Sequence, residues 1–196
     1  MNSKKAMAEQ DSKRPNSRFA ASAAIAMRWW RRAMSEPRGG WVSTLDWGVK
    51  QTFRSYVHGV GGAILARGGA TRSGDGGFTF LAEEDSSLRR DADGTLVGLG
   101  RFRGEVTFEG HGGILAVRLA DPIIEITPDA AVMSVAEDLE RRRRIVIAHL
   151  DIGAAGWDDE GLVSVPAILT LEGSQLLGDH YPIRTPLDPL RLRVEA

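Results

Sequence analysis

The sequence predicts a mainly β fold, an antiparallel β-sandwich or barrel-like domain with one or two short helices. Short segments of alternating apolar and polar residues recur, with a turn signal about every ten residues. Long helical periodicity is rare, and glycine is abundant, with 23 residues among 196. Many short segments that end at glycines are typical of sheets that pack into a sandwich or barrel.

The first 40 residues differ in composition from the rest of the chain. They carry nine Lys or Arg and three Asp or Glu, whereas the remaining residues carry sixteen and twenty-three. Pro37, Gly39 and Gly40 mark a boundary. We therefore expect a basic leader, helical or disordered, over residues 1–40 and one folded domain over residues 41–196. The acidic domain argues against a nucleic-acid partner, while the leader suits weak contact with an anionic membrane surface.

Other features of the composition bear on chemistry and compartment. The chain contains no cysteine, which excludes disulfides, thiolate metal sites and cysteine nucleophiles. No run approaches the ~20 apolar residues of a membrane span. The apolar segment Phe19–Met27 follows basic residues as in a signal peptide, but Trp29 and Trp30 directly after it argue against one. A cytoplasmic or peripheral location therefore stays open beside an exported one.

The stretch that begins at Leu45 predicts an amphipathic helix that ends near Gly59. Its apolar residues recur at steps of three or four, which places them on one helical face: Leu45, Val49, Phe53, Tyr56 and Val60. Ser43 lies three residues before Asp46, a spacing that suits a capping box. Tyr56 falls in the last turn, so its ring points inward and its hydroxyl needs a partner.

Strands are predicted through the middle of the chain. Arg101–Glu109 shows the clearest alternation, with Phe102, Val106 and Phe108 on one face. The other predicted elements follow in this order: a strand at Phe78–Leu81, a charged loop at Glu83–Gly94, a break at Gly110–Gly113, a return strand at Ile114–Leu119, a turn at Asp121-Pro122 and a strand at Ile124–Ile126.

The last third of the chain predicts further short strands. Asp129–Arg144 is interpreted as a strand followed by an exposed charged turn, whose arginines are partly neutralised by nearby carboxylates. Leu162–Leu171 contains Pro166, so it is expected to be an edge or bulged strand. The remaining elements are a strand at Ile145–Leu150, a hairpin turn at Glu172–Gln175, a strand at Leu176–Tyr181 and a closing tail at Pro182–Pro189.

Two residues have an interpretation in binding as well as one in structure. Tyr56 is either a core tyrosine bonded to a backbone carbonyl or a tyrosine at the mouth of a pocket, ready to bind a metal. His111 lies between glycines at a strand end, which suits both a pocket and a tight turn. Tyr181 is either a hairpin aromatic or a pocket wall.

The other histidines carry weaker signals. His149 alternates with Ile145 and Ile147, so we expect a core or half-buried histidine. His58 and His180 each neighbour a tyrosine without a diagnostic spacing. The sequence also lacks Gly-x-Ser-x-Gly, Walker and His-Glu-x-x-His motifs, and no carboxylate pair is singled out. We therefore expect a protein that is not an enzyme.

Several motifs resemble the haem-transport-associated (HtaA) domain family. They span about Leu45 to Leu190 and share the family's order and spacing. They are Trp47-x-x-Lys50-x-x-Phe53-x-x-Tyr56, Gly104-x-Val-x-Phe108-x-Gly-His-Gly-Gly-x-Leu115, Asp121-Pro122, Ile124-x-Ile126, Leu169-Thr170-x-x-Gly173, Tyr181 and Leu187-Asp188-Pro189.

The resemblance implies a β-sandwich-like domain that binds ferric haem (protoporphyrin IX) for uptake, transfer or holding. It implies that Tyr56 is the axial ligand, assisted by His111, and we expect Phe53 and Phe108 as wall residues. Tyr181 matches another aromatic of the family. Haem and other haem-carrier proteins are the partners implied, and family members are usually found at the cell surface or secreted. The alternative is a non-catalytic interaction or adhesion module on the same fold, without a ligand.

Overall fold

The computed structural model describes residues 39–195. The predicted leader and its signal-like segment therefore lie outside the described residues, except for Gly39 and Gly40. Within residues 39–195, neither α-helix has the length and apolar character that crossing a membrane requires.

Short β-strands form most of the described structure. In chain order they are β1 (Gly40–Trp47), β2 (Ala63–Arg67), β3 (Thr71–Arg72), β4 (Phe78–Ala82), β5 (Arg89–Arg90), β6 (Leu96–Arg103), β7 (Glu105–Gly110), β8 (Leu115–Ile126), β9 (Ala131–Ala136), β10 (Arg144–Leu150), β11 (Gly156–Trp157), β12 (Leu162–Val165), β13 (Ala167–Leu169) and β14 (Leu190–Glu195). The helices are α1 (Gln51–Gly59), α2 (Leu171–Leu176) and one-turn 3₁₀ helices at His111–Gly113 and Ile152–Ala154.

The strands form one continuous hydrogen-bonded path in the order β11-β12-β14-β1-β4-β6-β8-β9-β10-β13. Off this path, β3 pairs with β4, β5 with β1 and β6, and β7 with both β2 and β8. Every pairing is antiparallel. The predicted mainly β, antiparallel fold with one or two short helices is therefore confirmed.

Strand β1 occupies part of the stretch that the sequence predicts as helix. Leu45 and Trp47 belong to this strand, which pairs with β4 and β14, and α1 begins only at Gln51. The predicted helix start is therefore wrong, because a step of four residues fits the two-residue period of a strand as well as a helix. Ser43 does not cap a helix, since its hydroxyl donates to Oε1 of Glu195 at 2.9 Å.

The strand predicted over Arg101–Glu109 is two strands. The chain bends between β6 and β7 at Gly104, where φ is +139° and a Cβ would collide with the backbone of Ala70. The turn predicted at Asp121-Pro122 is also wrong, because β8 runs through this dipeptide. An irregularity in the pairing of β8 with β9 accommodates the proline without ending the strand.

The C-terminal elements differ most from the prediction. Pro166 separates β12 from β13, and the hairpin turn predicted at Glu172–Gln175 is instead helix α2. Thr170 caps this helix, since its Oγ1 accepts a hydrogen bond from the Gly173 N–H at 2.9 Å. The strand predicted at Leu176–Tyr181 is absent, and the expected closing tail is followed by β14, which pairs with β1 and β12.

Apolar side chains from both halves of the strand path form a single core cluster. Five phenylalanines are among its largest fully buried side chains: Phe53, Phe78, Phe80, Phe102 and Phe108. Burial of such a side chain contributes about 1.5–3 kcal/mol, so these five rings contribute substantially to the stability of the core.

The charged segment between β9 and β10 is an exposed turn, as predicted. Within it, Arg143 pairs with Glu137 at 3.0 Å and Arg142 pairs with Glu140 at 3.2 Å. These pairs are largely exposed, so each contributes little to stability. The turn is a self-neutralised surface feature rather than a basic binding patch.

Candidate functional site

Tyr56 and His111 meet at the C-terminal end of α1. Tyr56 is partly exposed, and its Oη lies 2.7 Å from Nε2 of His111. The alternative in which the hydroxyl of Tyr56 bonds to a backbone carbonyl does not fit this contact. A phenol and an imidazole at this distance share one proton, so either side chain can be the donor.

The turn that carries His111 has an unusual backbone. His111, Gly112 and Gly113 have φ values of 51°, 66° and 98°, so three successive residues occupy the left-handed region. Glycine adopts these angles without strain, whereas histidine does so less readily. The glycines on both sides of His111 thus allow a tight 3₁₀ turn that points the imidazole back at α1.

Two further glycines let the end of α1 approach this turn closely. A Cβ at Gly62 would collide with the carbonyl oxygen of Glu109. A Cβ at Gly110 would lie 3.1 Å from Cγ2 of Val60. The absence of side chains at Gly62 and Gly110 therefore brings the helix end against the end of β7, and with it Tyr56 against His111.

An aromatic row lies behind the pair. The rings of Phe53 and Phe108 are 5.1 Å apart, and Tyr181 packs edge-on against Phe53 at 6.3 Å. Phe53 and Phe108 are both 0% exposed. Two residues expected as walls of a binding site are thus core residues here, and they hold α1 against β7 from within.

Polar groups lie one helical turn before Tyr56. Thr52 is four residues before Tyr56 on α1, and its Oγ1 is 2.9 Å from the hydroxyl of Tyr181. The ammonium of Lys50 lies 5.3 Å from the centroid of the Tyr181 ring. The buried hydroxyl of Ser174 in α2 donates to the backbone carbonyl of Tyr181 and so fixes the segment that carries this ring. Two hydroxyls and one cation therefore share an exposed edge beside Tyr56.

His180 completes the group, although its sequence context carried only a weak signal. Its ring centroid lies 5.0 Å from that of Tyr56, on the segment between α2 and β14. The preceding residues, Gly178 and Asp179, have φ values of 73° and 56°, which shape the turn that brings the imidazole to α1. The only signal in the sequence was the neighbouring Tyr181, because His180 comes close to Tyr56 solely through the tertiary fold.

The remaining histidines lie apart from this site. His58 is exposed at the end of α1, and His149 is exposed on β10. The expectation of a core or half-buried His149 is wrong, because a pairing irregularity between Val146 and Ala148 shifts the buried face of β10 by one residue. Within residues 39–195, no group of three or more His, Cys, Asp or Glu side chains is arranged to hold a metal ion.

Two of the cavities in the described structure lie away from the tyrosine–histidine pair. One, of about 310 Å³, lies at the N-terminal end of α1 and is lined by charged side chains that include Arg54, Asp75 and Asp188. The other, of about 530 Å³, lies beside β6 and the turn between β8 and β9. Neither is lined by Tyr56 or His111, so these cavities and the tyrosine–histidine pair are separate features.

The fold and the site together define an antiparallel β domain that presents a tyrosine–histidine pair at the end of a short helix. The model of the HtaA family, described as Htaa, matches residues 42–193, which is most of the chain. The chain therefore belongs to the HtaA family. A comparison with curated proteins gave no match.

Solved structures of similar fold come from Corynebacterium glutamicum. The C-terminal domain of HtaA has a TM-score of 0.60 and 25% identity, with 80% of this chain and 97% of that chain covered. The N-terminal domain of HtaA has a TM-score of 0.58 and 22% identity, with 81% and 100% covered. HtaB, described as a heme binding protein, has a TM-score of 0.55 and 17% identity, with 80% and 94% covered.

Proposed function

We propose that this domain binds ferric haem as a cargo for uptake, transfer or holding, with the phenolate oxygen of Tyr56 on the iron. The observation that carries the proposal is the 2.7 Å contact between Tyr56 Oη and His111 Nε2 at a partly exposed position. Membership of the HtaA family supports haem as the class of ligand.

The donor set fits the iron of ferric haem. A phenolate is an anionic oxygen ligand, and tyrosine serves as the axial ligand in some haem proteins. Tyr56 must lose its proton to bind iron, and Nε2 of His111 is placed to take that proton. The resulting imidazolium N–H then donates to the phenolate oxygen, which orients the ring and moderates its donor strength.

The exposed edge next to Tyr56 suits the carboxylates of the porphyrin. The hydroxyls of Thr52 and Tyr181 can each donate to a carboxylate once their mutual hydrogen bond is exchanged. Lys50 supplies a positive charge on the same side. In this proposal the polar groups orient the haem, while Tyr56 and His111 hold the iron.

A single anionic protein ligand suits a protein that must release its cargo. His180 lies against Tyr56 on the opposite segment, so it limits the space around the phenol ring. We include other haem-carrier proteins among the proposed partners, since a site close to the surface permits direct passage of haem. Transfer to a haem-free acceptor protein, followed by absorption spectroscopy, measures this property.

The experiment that tests the proposal is a titration with ferric haem. We expect tyrosinate-type absorption for the native protein and loss of this absorption for Tyr56→Phe, which preserves the ring but removes the ligand. The chain has two tyrosines, so Tyr181→Phe is the matched control and should retain the tyrosinate-type spectrum. An unchanged spectrum in Tyr56→Phe overturns the assignment.

A further inference from the structure

We infer that Asp188 is a positioning residue for the haem site, because its carboxylate and backbone fix the start of the helix that carries Tyr56. The inference rests on the proposed function of that site. Asp188 lies in the segment between α2 and β14, 137 residues after its contact in α1. Asp188 makes no contact with Tyr56 or His111, so it would affect haem binding only by fixing the position of α1.

Helix α1 has no cap of its own. Its N-cap residue, Lys50, makes no side-chain hydrogen bond to the helix, and the first turn contains no acidic residue. The first N–H groups of a helix need acceptors from outside the helix. Oδ1 of Asp188 accepts from the backbone N–H of Gln51 at 3.0 Å, and its negative charge is favourable at a helix N-terminus.

The second carboxylate oxygen of Asp188 binds the same helix one turn further along. NH1 of Arg54 donates to Oδ2 at 2.6 Å, and the two side chains are only 14% and 27% exposed. Arg54 also donates to the carbonyl oxygen of Gly48. The carboxylate thus bridges the first turn of α1 at Gln51 and Arg54 in a partly buried setting, where charge-assisted hydrogen bonds are strong.

The backbone of Asp188 holds the connection between β1 and α1. Its N–H donates to the carbonyl oxygen of Val49 at 2.9 Å, and its carbonyl oxygen accepts from Nε1 of Trp47 at 3.1 Å. Val49 has a φ of 65°, a left-handed conformation that a β-branched residue adopts only under constraint. The contacts with Asp188 are part of that constraint, because they hydrogen-bond the strained residue Val49 and the nearby Trp47 to a distant segment of the chain.

The anchor matters because residues proposed to bind haem lie on the same helix. Tyr56 follows Gln51 by five residues, or about 7.5 Å along the axis. A tilt of about 6° at the helix start moves a group about 10 Å away by about 1 Å, which exceeds the ~0.5 Å tolerance of a preorganised site. Tyr181 and His180 belong to the segment that contains Asp188, so the anchor also aligns these residues with α1.

The test compares Asp188→Ala with Asp151→Ala. Asp151 caps a helix start in the same way, accepting from the Ala154 N–H at 3.1 Å, but it lies beyond β10 at the 3₁₀ helix Ile152–Ala154. We expect Asp188→Ala to lower haem affinity about tenfold, the size typical of groups that support a metal ligand, and to shift the tyrosinate-type absorption. Asp151→Ala should leave affinity and spectrum unchanged.

Hydrogen exchange on the haem-free protein provides a second measurement. The α1 amides from Phe53 to Val57 should exchange faster in Asp188→Ala and at the native rate in Asp151→Ala. Asp188→Asn, which retains an acceptor for the Gln51 N–H, should recover part of both the affinity and the protection. Equal losses of affinity in the two alanine variants, or unchanged α1 exchange in Asp188→Ala, overturn the inference. Failure of the native protein to bind haem instead overturns the proposed function and leaves the exchange result to decide whether Asp188 anchors α1.

Discussion

The hydroxyl of Tyr56 lies 2.7 Å from Nε2 of His111, although 55 residues separate them in the chain. One side chain comes from the end of a helix and the other from a turn between two strands. Their meeting depends on close backbone approach at Gly62 and Gly110. The contact is therefore a product of the tertiary fold, and it gives the tyrosine hydroxyl a hydrogen-bond partner at the protein surface.

Replacement of His111 should weaken haem binding without unfolding the protein. Asn tolerates the left-handed backbone of this position, with φ of 51°, but its shorter side chain cannot reach Tyr56. We expect a 10- to 100-fold loss of haem affinity and a shifted tyrosinate-type absorption in His111→Asn, measured by titration. His149→Asn is the control, since His149 is exposed on β10. Equal affinity in the two variants would show that the imidazole of His111 does not support the ligand.

The role proposed for the exposed hydroxyls can be separated from iron ligation. Tyr181→Phe removes one hydroxyl and keeps the ring that packs on Phe53. A hydrogen bond to a charged group contributes about 1.5–3 kcal/mol, so we expect roughly 10- to 150-fold weaker binding of ferric haem. Haem dimethyl ester lacks free carboxylates and should bind the native protein and Tyr181→Phe equally. A similar loss with the ester would assign Tyr181 a role in packing rather than in carboxylate recognition.

The fold class followed from the sequence because alternation and glycine-rich turns are local signals. The boundaries of the strands and helices did not follow from the sequence, for reasons that differ from one element to the next. The step from Leu45 to Val49 is compatible with both helical and strand periods, so the strand β1 was hidden inside a predicted helix. Asp121-Pro122 has the composition of a turn, yet β8 continues through it because β9 pairs with β8 on both sides of the dipeptide. Such outcomes depend on partners that are distant in the chain.

The same distinction applies to the site. Tyr56 and His111 were visible from helical position and glycine flanking, whereas His180 and Asp188 act through contacts across more than 100 residues. Phe53 was correctly placed on the apolar face, but periodicity cannot tell a core residue from one that lines a pocket. Local patterns therefore identify single residues that have an unusual sequence context, whereas only the tertiary structure shows which of these residues lie together.

The aromatic row behind the site should be important for stability. Phe108 is 0% exposed and packs on both Phe53 and Phe78, at 5.1 and 6.0 Å between ring centroids. We expect Phe108→Ala to lower the free energy of unfolding by about 3–5 kcal/mol, because it leaves a cavity between α1 and β7. Ile114→Ala is the control: Ile114 is 90% exposed, so the change should be within about 0.5 kcal/mol. Denaturant unfolding curves measure both, and equal midpoints would contradict the packing account.

Stability at acidic pH should depend on Asp75, at the cavity near the start of α1. The Ser73 hydroxyl at 2.7 Å, then the Gly77 N–H at 3.0 Å and the charge of Arg191, hold the pKa of this carboxyl below its ordinary value of 3.8, against a smaller opposing effect of burial. A lowered folded-state pKa stabilises the protein above the unfolded-state pKa, and this contribution is lost as the pH falls through the folded-state value. The difference in unfolding free energy between the native protein and Asp75→Asn should therefore be constant near neutral pH and shrink below about pH 4. Ser73→Ala removes the largest cause of the lowered pKa, so Asp75→Asn made in the Ser73→Ala protein should change the unfolding free energy at neutral pH by less than it does in the native protein. A difference between the native protein and Asp75→Asn that stays the same down to about pH 2 would contradict the prediction.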